Sequence, residues 1–449
     1  MASFFRRLSL QKGRKAPSTS NVNGTGNFPR EDEQPEPLAI TIPETQTVLL
    51  LLAARQPYQL TENYAVPQLE GEREVLVRTQ AIGLNPIDWK APDFNFAIPT
   101  LPYISGRELA GEVVLVQKPS QTATRLKTRD RVLVISTDYR DLRKAAYQEY
   151  VVAFDYNTVR LPPSISPEEG SALGVAFVAA ALALGVCMGV DFSSVLDGPD
   201  LFSLVREVAP ELLPDDVRQE CLDGILSHER ATAGDWLAIW GGSSTSANLI
   251  IQLAKLAGLK TIAVVDKAKH GLRLANHKII RTALLVDSHD PKRAVDIIHG
   301  NLNGNLRFGI DTRGRDSATS LLQALFSGNL APSSSVPVAA MTDSSPPPSP
   351  PATPHNSTLL SAHLIGLAGL PKQSPPKGAL FHTVPIKLFH EVPAIGRALV
   401  QWLERLLEKG LVSPPEIIDV EQGLDSVNKG LDRMRKGEIS GGKLVVRVA

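Results

Sequence analysis

A short run of small and hydroxylated residues near the middle of the chain has the composition of an anion-binding turn. Residues 236–240 (WLAIW) are apolar like a buried strand, residues 241–247 read GGSSTSA, and residues 248–257 have helical spacing. A helix that begins directly after a strand leaves free N–H groups at its N-terminus, where the helix dipole favours a pyrophosphate. The candidate phosphate-binding residues are Gly242, Ser243, Ser244, Thr245 and Ser246.

An acidic residue follows the next apolar run, as a site for an adenosine ribose requires. Residues 261–265 (TIAVV) have strand character, and Asp266 follows them at about the 20-residue spacing typical of such an acid. The glycine pattern is incomplete, because Ser244 and Ala247 stand where a G-x-G-x-x-G motif beginning at Gly242 has its later glycines. We interpret the segment as a dinucleotide site; an ordinary strand, turn and helix, with small residues for packing alone, is the alternative.

Strands and helices are predicted to alternate through the rest of this region. Apolar runs at 283–286, 306–310 and 359–366 indicate strands, and helical periods separate them at 292–299 and 317–326. Apolar strands interleaved with helices are typical of parallel βαβ units covered on both faces. The expected fold is therefore a doubly wound α/β domain.

Length, composition and charge restrict the possible functions. The chain has 449 residues, enough for about two or three domains, and 43% of them are hydrophobic with a formal net charge of zero. Nothing global therefore favours nucleic acid or an anionic membrane as a partner. The two cysteines, Cys187 and Cys221, cannot form a four-thiolate zinc site, and we expect buried thiols in a reducing compartment. The uncharged segment 172–190 is interpreted as a buried helix beside the cofactor rather than a membrane span.

Three segments differ in composition from the predicted domains. Residues 1–44 are rich in Ser, Asn, Gly and Pro with basic residues near the start, which indicates a disordered basic tail; a mitochondrial transit peptide is the alternative. The expected location is accordingly the cytoplasm, with the mitochondrion as the alternative. Residues 330–357 contain a Pro/Ser run and are interpreted as an insertion loop, and residues 191–232 as an acidic, helix-forming insertion.

Several motifs, taken in order and spacing, resemble one enzyme superfamily. They are EVLVR at 74–78, GLNPIDWK at 83–90, GRELAGEVV at 106–114, RDRVLV at 129–134 and YQEYVV at 147–152. Together they resemble the medium-chain dehydrogenase/reductase superfamily. The C-terminal run RKGEISGGKLVVR at 435–447 resembles its fungal branch of trans-acting enoyl reductases from polyketide pathways.

The resemblance implies a fold and a reaction. It implies a GroES-like, β-rich catalytic domain at 45–170, completed by about 380–449, packed on a Rossmann domain at 171–379. It also implies transfer of a nicotinamide hydride to an activated double bond of a small molecule or acyl thioester, with a polyketide synthase as a candidate partner. A quinone oxidoreductase and a degenerate, non-catalytic interaction protein are the alternatives, and either a monomer or a homodimer is compatible.

The residues at the family's zinc position indicate a zinc-free member. Zinc-dependent relatives carry a cysteine where this chain has Asn85 and a histidine where it has Arg107. An amide and a guanidinium cannot replace the thiolate and imidazole ligands of tetrahedral zinc. We therefore expect no metal site. Without that Lewis acid, reduction of a polarised alkene is more plausible than alcohol oxidation.

By the same resemblance Lys90 is the cofactor-side lysine that supports charge near the nicotinamide or ribose, and a solvated surface lysine is the alternative. Asn85 is the second candidate catalytic residue, and Ile87 and Asp88 are implied to contact the cofactor. Mitochondrial-type enoyl reductases have a proton-donating tyrosine a few residues further on, in the stretch that contains Phe94 and Phe96 here. The proton donor is left open, with water as a candidate.

The remaining cofactor contacts are implied at three places. Asp266, Lys267 and Lys269 stand where the adenosine ribose is bound, Ser288 replaces a family tyrosine, and Ile439 and Ser440 lie in the C-terminal motif. Asp266 favours NADH, because it repels a 2′-phosphate, whereas Lys267 and Lys269 favour NADPH. NADPH is the expected cofactor on family grounds, with NADH as the alternative.

Overall fold

The computed structural model describes residues 40–117, 124–302, 304–326 and 360–448. The predicted loop at 330–357 lies outside these residues, as does the predicted tail up to residue 39. The strands are β1 Thr45–Leu51, β2 Gln59–Ala65, β3 Glu74–Gly83, β4 Tyr103–Ile104, β5 Glu108–Val116, β6 Arg131–Ile135, β7 Tyr150–Phe154, β8 Thr158–Arg160, β9 Trp236–Trp240, β10 Lys260–Val265, β11 Leu284–Asp287, β12 Leu306–Asp311, β13 Ala362–Gly366, β14 Ala379–Thr383, β15 Ile417–Gln422 and β16 Lys443–Arg447.

Helices follow most strands in the second half of the chain. They are α1 Pro86–Phe94, α2 Pro167–Ser171, α3 Gly174–Leu182, α4 Leu201–Arg206, α5 Arg218–Asp223, α6 Thr245–Leu256, α7 Lys267–Asn276, α8 Pro291–Leu302, α9 Arg315–Leu325, α10 Leu388–Glu391, α11 Pro393–Glu408 and α12 Val427–Arg435. Helices α6, α8 and α9, which alternate with strands of the second half, are the ones that the sequence periodicity predicts, whereas α7 was not predicted.

Six of the strands form one parallel sheet in the order β11-β10-β9-β12-β13-β14. Side chains of β9 alternate between its two faces, as strand geometry dictates. Leu237 and Ile239 pack in the core that includes α6, whereas Ala238 and Trp240 pack in the core that includes α8 and α9. Both faces are thus covered by helices, and the strand order is that of a Rossmann fold. The predicted doubly wound domain is confirmed.

The other large sheet is mainly antiparallel and draws on both ends of the described chain. Its order is β15-β16-β3-β5-β6-β8, with β7 also paired to β3. Strand β16 runs antiparallel to β3, with Val445 opposite Gly83. Strands β2, β1 and β4 form a separate three-stranded sheet. The C-terminal segment is therefore an integral part of the β-rich first domain, and it brings residues 437–444 near the end of β3.

The uncharged segment at 172–190 is a buried helix, as predicted. Helix α3 continues as a π-helical turn at Ala183–Cys187, and nearly all of its side chains are inaccessible to solvent. Among the described residues, no helix has both the length and the apolar character needed to cross a membrane. The predicted insertion at 191–232 contains the short helices α4 and α5 and three-residue helical turns. Cys187 and Cys221 are free, buried thiols.

Candidate functional site

A cavity of 410 Å³ lies at the carboxyl end of the parallel sheet. It is bounded by the turn after β9, the end of β10 with the start of α7, the residues after β12, and the segment before β16. The order of the strands reverses between β9 and β12. In open α/β sheets, ligands bind at such a switch point, outside the carboxyl ends of the strands. This cavity is therefore the candidate cofactor site.

The turn after β9 requires two glycines. Gly241 has a φ of +82°, and a Cβ atom there would lie 2.3 Å from Thr312 Oγ1. A Cβ atom on Gly242 would lie 2.7 Å from the Cβ atom of Ala263 on β10. The first position therefore needs the conformational freedom of glycine, and the second needs its small size.

Replacing Gly242 with alanine should lower the free energy of unfolding by about 1–3 kcal/mol, because the methyl group overpacks the turn against β10. The matched control is Gly300→Ala in helix α8, where an added Cβ meets nothing within 4 Å. That change should stabilise the protein by up to about 1 kcal/mol, since alanine is the better helix former. Urea unfolding of both variants measures the difference, and equal effects would show that Gly242 is not packed as described.

The N-terminus of α6 presents free donors to this cavity. Ser244 Oγ accepts the N–H of Ala247 at 3.1 Å and donates to Thr312 Oγ1 at 3.0 Å. The N–H groups of Ser243, Thr245 and Ser246 have no acceptor in the part of the chain that the structure describes. Ser243, Ser244 and Thr245 line the cavity. Unpaired N–H groups at a helix N-terminus suit a phosphate, so this end of the cavity fits a pyrophosphate.

Asp266 lies at the other end of the cavity, directly after β10. Its Oδ1 accepts the N–H of Lys269 at 3.1 Å and thereby caps α7. Its Oδ2 lies 3.9 Å from Lys269 Nζ and 3.6 Å from His289 Nε2. Asp266 and Lys269 line the cavity, whereas Lys267 is exposed and is not among its lining residues. The carboxylate can therefore meet a ribose with a cationic side chain beside it.

The C-terminal segment is held against helix α7 by side-chain contacts. His270 Nε2 lies 2.9 Å from Ser440 Oγ, and Arg273 bonds both Glu416, at 2.6 Å, and the carbonyl oxygen of Gly441. Burial, with the nearby charge of Arg273, lowers the pKa of His270. Ile439 and Ser440 line the cavity. The Rossmann and β-rich sheets thus both contribute residues to its wall.

A buried lysine, which sequence reasoning missed, lies where the cavity meets the β-rich sheet. Lys443 is 3% exposed; its Nζ donates to Asn85 Oδ1 at 2.7 Å and to Glu108 Oε1. Asn85 Nδ2 also donates to Glu108 Oε1 at 3.0 Å, and Glu108 Oε2 accepts the N–H of Val175 at 2.8 Å. A lysine has three N–H donors, and these bonds use two of them. Lys443 also lines the cavity, and no third partner of its ammonium group is found among the described residues.

Arg107, at the family's second zinc-ligand position, is 8% exposed and holds its guanidinium 5.5 Å from the centroid of the Tyr139 ring. Neither Arg107 nor Asn85 offers a thiolate or imidazole. Catalysis without zinc remains a prediction that the chemistry of these side chains supports.

The other predicted residues lie further from the cavity. Asp88 is fully buried, accepts the N–H of Asn85 at 2.8 Å and has its pKa raised by burial to about 6. Lys90 Nζ lies 5.7 Å from the Trp89 ring centroid. In the described part of the chain, the cavity wall includes Pro86 but not Ile87, Asp88 or Lys90. Their roles as cofactor contacts remain predictions.

Two further positions complete the comparison with the sequence. Ser288 lines a separate cavity of 380 Å³ that shares Arg313 with the candidate site. Phe94 and Phe96, in the stretch where some relatives have a proton-donating tyrosine, are 66% and 43% exposed. Neither phenylalanine can donate a proton, so the proton donor must come from elsewhere.

Lys443 was detectable in principle, because it lies in the C-terminal motif beside the predicted Ile439 and Ser440.

Comparison with known proteins identifies a matching domain and similar enzymes. The model of the alcohol dehydrogenase GroES-like domain matches residues 71–163. A trans-enoyl reductase of Gibberella fujikuroi is 26% identical over 87% of this chain and 95% of its own length. A trans-enoyl reductase of Aspergillus niger is 27% identical over 91% of this chain and 98% of its own length.

A solved structure shares the fold described above. It is an alcohol dehydrogenase superfamily protein from Novosphingobium aromaticivorans, 16% identical, with a TM-score of 0.63 over 90% of this chain and all of that one. The GroES-like match covers β3 to β8, and the Rossmann sheet follows it along the chain. With a GroES-like domain, a Rossmann sheet and trans-enoyl reductases among its relatives, the chain resembles the medium-chain dehydrogenase/reductase superfamily of nicotinamide-dependent oxidoreductases.

Proposed function

We propose that the protein is an NADPH-dependent reductase of activated carbon–carbon double bonds, acting on an enoyl thioester. The observation that carries this proposal is the cavity at the switch point, which joins an anion-binding helix end to the buried Lys443. The trans-enoyl reductases among its relatives support the substrate class. An acyl thioester carried by a polyketide synthase is the proposed form of the substrate, and the oligomeric state, monomer or homodimer, is left to measurement.

Residues of this chain would hold the cofactor at two points. The free N–H groups of Ser243, Thr245 and Ser246 suit the pyrophosphate, and Asp266 with Lys269 suits the adenosine ribose. When bound, the nicotinamide supplies a hydride. The pairing of Asp266 with Lys269 and His289 offsets the negative charge that a 2′-phosphate would meet there.

Lys443 is the proposed electrostatic support for the reaction. Reduction of an enoyl thioester places negative charge on the thioester oxygen, and that charge needs a hydrogen-bond donor held in position. The two hydrogen bonds from Lys443 to Asn85 and Glu108 fix its ammonium group and leave one N–H. Asn85 would then act as a positioning residue. Water is the proposed proton source, because neither Phe94 nor Phe96 can donate a proton.

Titration with NADPH tests whether the site is retained. The protein should enhance the fluorescence of the nicotinamide, and addition of an enoyl thioester should then remove the signal as the cofactor is oxidised. If the nicotinamide fluorescence is enhanced but only a quinone, and no enoyl thioester, is then reduced, the result favours a quinone oxidoreductase. Absence of any enhancement with NADPH or NADH would favour a non-catalytic interaction protein.

A further inference from the structure

A second cluster of reactive side chains lies apart from the cofactor cavity. It contains Cys187 at the end of the π-helical turn, Glu220 on α5 and His382 on β14. The sulfur, a carboxylate oxygen and an imidazole nitrogen lie within 4.8 Å of one another. Cys187 is 0% and His382 1% exposed, and the Glu220 side chain is 15% exposed. None of the three lines the candidate cofactor site.

The chemistry of these three groups is that of a zinc-binding set. Thiolate, imidazole and carboxylate are the ligands that zinc takes in proteins. A thiolate and a carboxylate would neutralise the two charges of the ion, and buried charges are tolerated when they are compensated in this way. Glu220 has two oxygens, so bidentate binding would complete four ligands without a water molecule.

A buried histidine behind the cluster gives a second, independent indication. His363 is 0% exposed, and its Nδ1 lies 3.0 Å from His382 Nε2. On the other side of the ring, His363 Nε2 lies 3.9 Å from Glu229 Oε2. Neither of these two atoms has a hydrogen-bond partner among the described residues. Buried polar atoms without a partner call for a physical explanation.

The positions of the protons on His382 and His363 explain the two unpaired atoms if a metal is bound. His382 Nδ1 lies 2.7 Å from Glu220 Oε1. If Nδ1 carries the proton toward Glu220, His363 must donate through Nδ1, and its bare Nε2 then faces the carboxylate of Glu229. If His382 Nδ1 binds a metal instead, His382 Nε2–H donates to His363, and His363 Nε2–H points toward Glu229. Metal-binding histidines ordinarily donate their second N–H in this manner.

We propose that Cys187, Glu220 and His382 bind one zinc ion, with His363 and Glu229 orienting His382. The ion would fasten the inserted helix α5 to α3 and to the outermost strand of the parallel sheet. Helices of six residues, such as α4 and α5, are not stable by themselves. A bound ion that links α5 to α3 and to β14 would therefore stabilise the inserted segment. This site departs from the expectation that the chain has no metal site, and it is separate from the cleft.

Metal analysis of the purified full chain tests the proposal. One zinc per chain is expected in the wild type, and cobalt substitution should give a thiolate-to-cobalt charge-transfer band. Both should be lost in Cys187→Ala and in His382→Gln. Cys221→Ala is the matched control, because this second buried cysteine is next to Glu220 in sequence but is not one of the three ligands. It should keep the zinc.

A variant that keeps all three ligands distinguishes weaker zinc binding from a loss of the fold. His363→Ala should bind zinc about 10–100-fold more weakly in chelator competition, since it removes only the partner of His382. Wild type that contains no zinc and takes up no cobalt would overturn the proposal and favour a proton shared between Glu220 and His382. Full zinc content in Cys187→Ala and His382→Gln would overturn it too. Neither result depends on reductase activity.

Discussion

Lys443→Met should lower the free energy of unfolding by about 3–5 kcal/mol, because it leaves the carboxylate of Glu108 buried without its counter-charge. Glu108 is 0% exposed, and Lys443 is its cationic partner in the buried cluster with Asn85. Urea unfolding measures the change. The same substitution should also reduce turnover strongly, since the N–H that remains for the substrate oxygen is lost with the ammonium group.

A double variant separates these two effects. Adding Glu108→Gln to Lys443→Met removes both charges and should restore most of the stability, because replacing a buried ion pair as a whole is often close to neutral. Turnover should stay low in the double variant, since the donor is still absent. If the free energy of unfolding of Lys443→Met lies within about 1 kcal/mol of the wild-type value, the pair is not buried as described. Turnover that recovers together with stability would show that Lys443 has a structural role alone.

Asp266→Ser should tighten NADPH binding and weaken NADH binding. A carboxylate beside a 2′-phosphate costs a few kcal/mol at an effective dielectric near ~20, and salt screens part of it. We expect the binding free energy of NADPH to become more favourable by about 1–2 kcal/mol, which is roughly a 5–30-fold change in affinity. Serine is itself a good N-cap residue, so helix α7 should keep its cap and the fold should not change.

Lys269→Ala tests the opposing contribution. Lys269 Nζ lies 3.9 Å from Asp266 and lines the cavity, so its removal should weaken NADPH binding more than NADH binding. Lys267→Ala is the matched control, because Lys267 is exposed and does not line the cavity. Paired titrations of both cofactors measure these affinities. Equal affinities for all variants would show that residues 266–269 do not contact the adenosine ribose.

Local patterns were sufficient to predict most of the Rossmann half of the fold, although helix α7 and the outermost strand β14 were not predicted. The strand at 236–240, its glycine turn and the helix after it are neighbours in sequence, so periodicity and turn chemistry reveal them together. The same holds for β10 and Asp266. The β-rich domain was predicted through a resemblance, because its closing strand β16 comes from the far end of the chain and no local pattern records that pairing.

The missed residues depend on contacts between distant parts of the chain. Lys443 is 335 residues from Glu108, and Glu220 is 162 residues from His382. In the sequence, each of these residues has the type expected of an ordinary surface residue. Its candidate role becomes visible only when the structure shows it beside its partner. Lys90 shows the opposite case: its motif is recognisable, but the sequence cannot say which way the side chain points.

The central claim is that the cleft transfers a hydride from a nicotinamide cofactor to an enoyl thioester. The most direct test follows deuterium from NADPH labelled at C4 of the nicotinamide into a 2-enoyl thioester, with the product identified by mass spectrometry and NMR. We expect one deuterium on the β-carbon of the saturated thioester for each cofactor oxidised. Cofactor that binds but is never oxidised by any enoyl thioester, under conditions where a quinone is reduced, would contradict the claim.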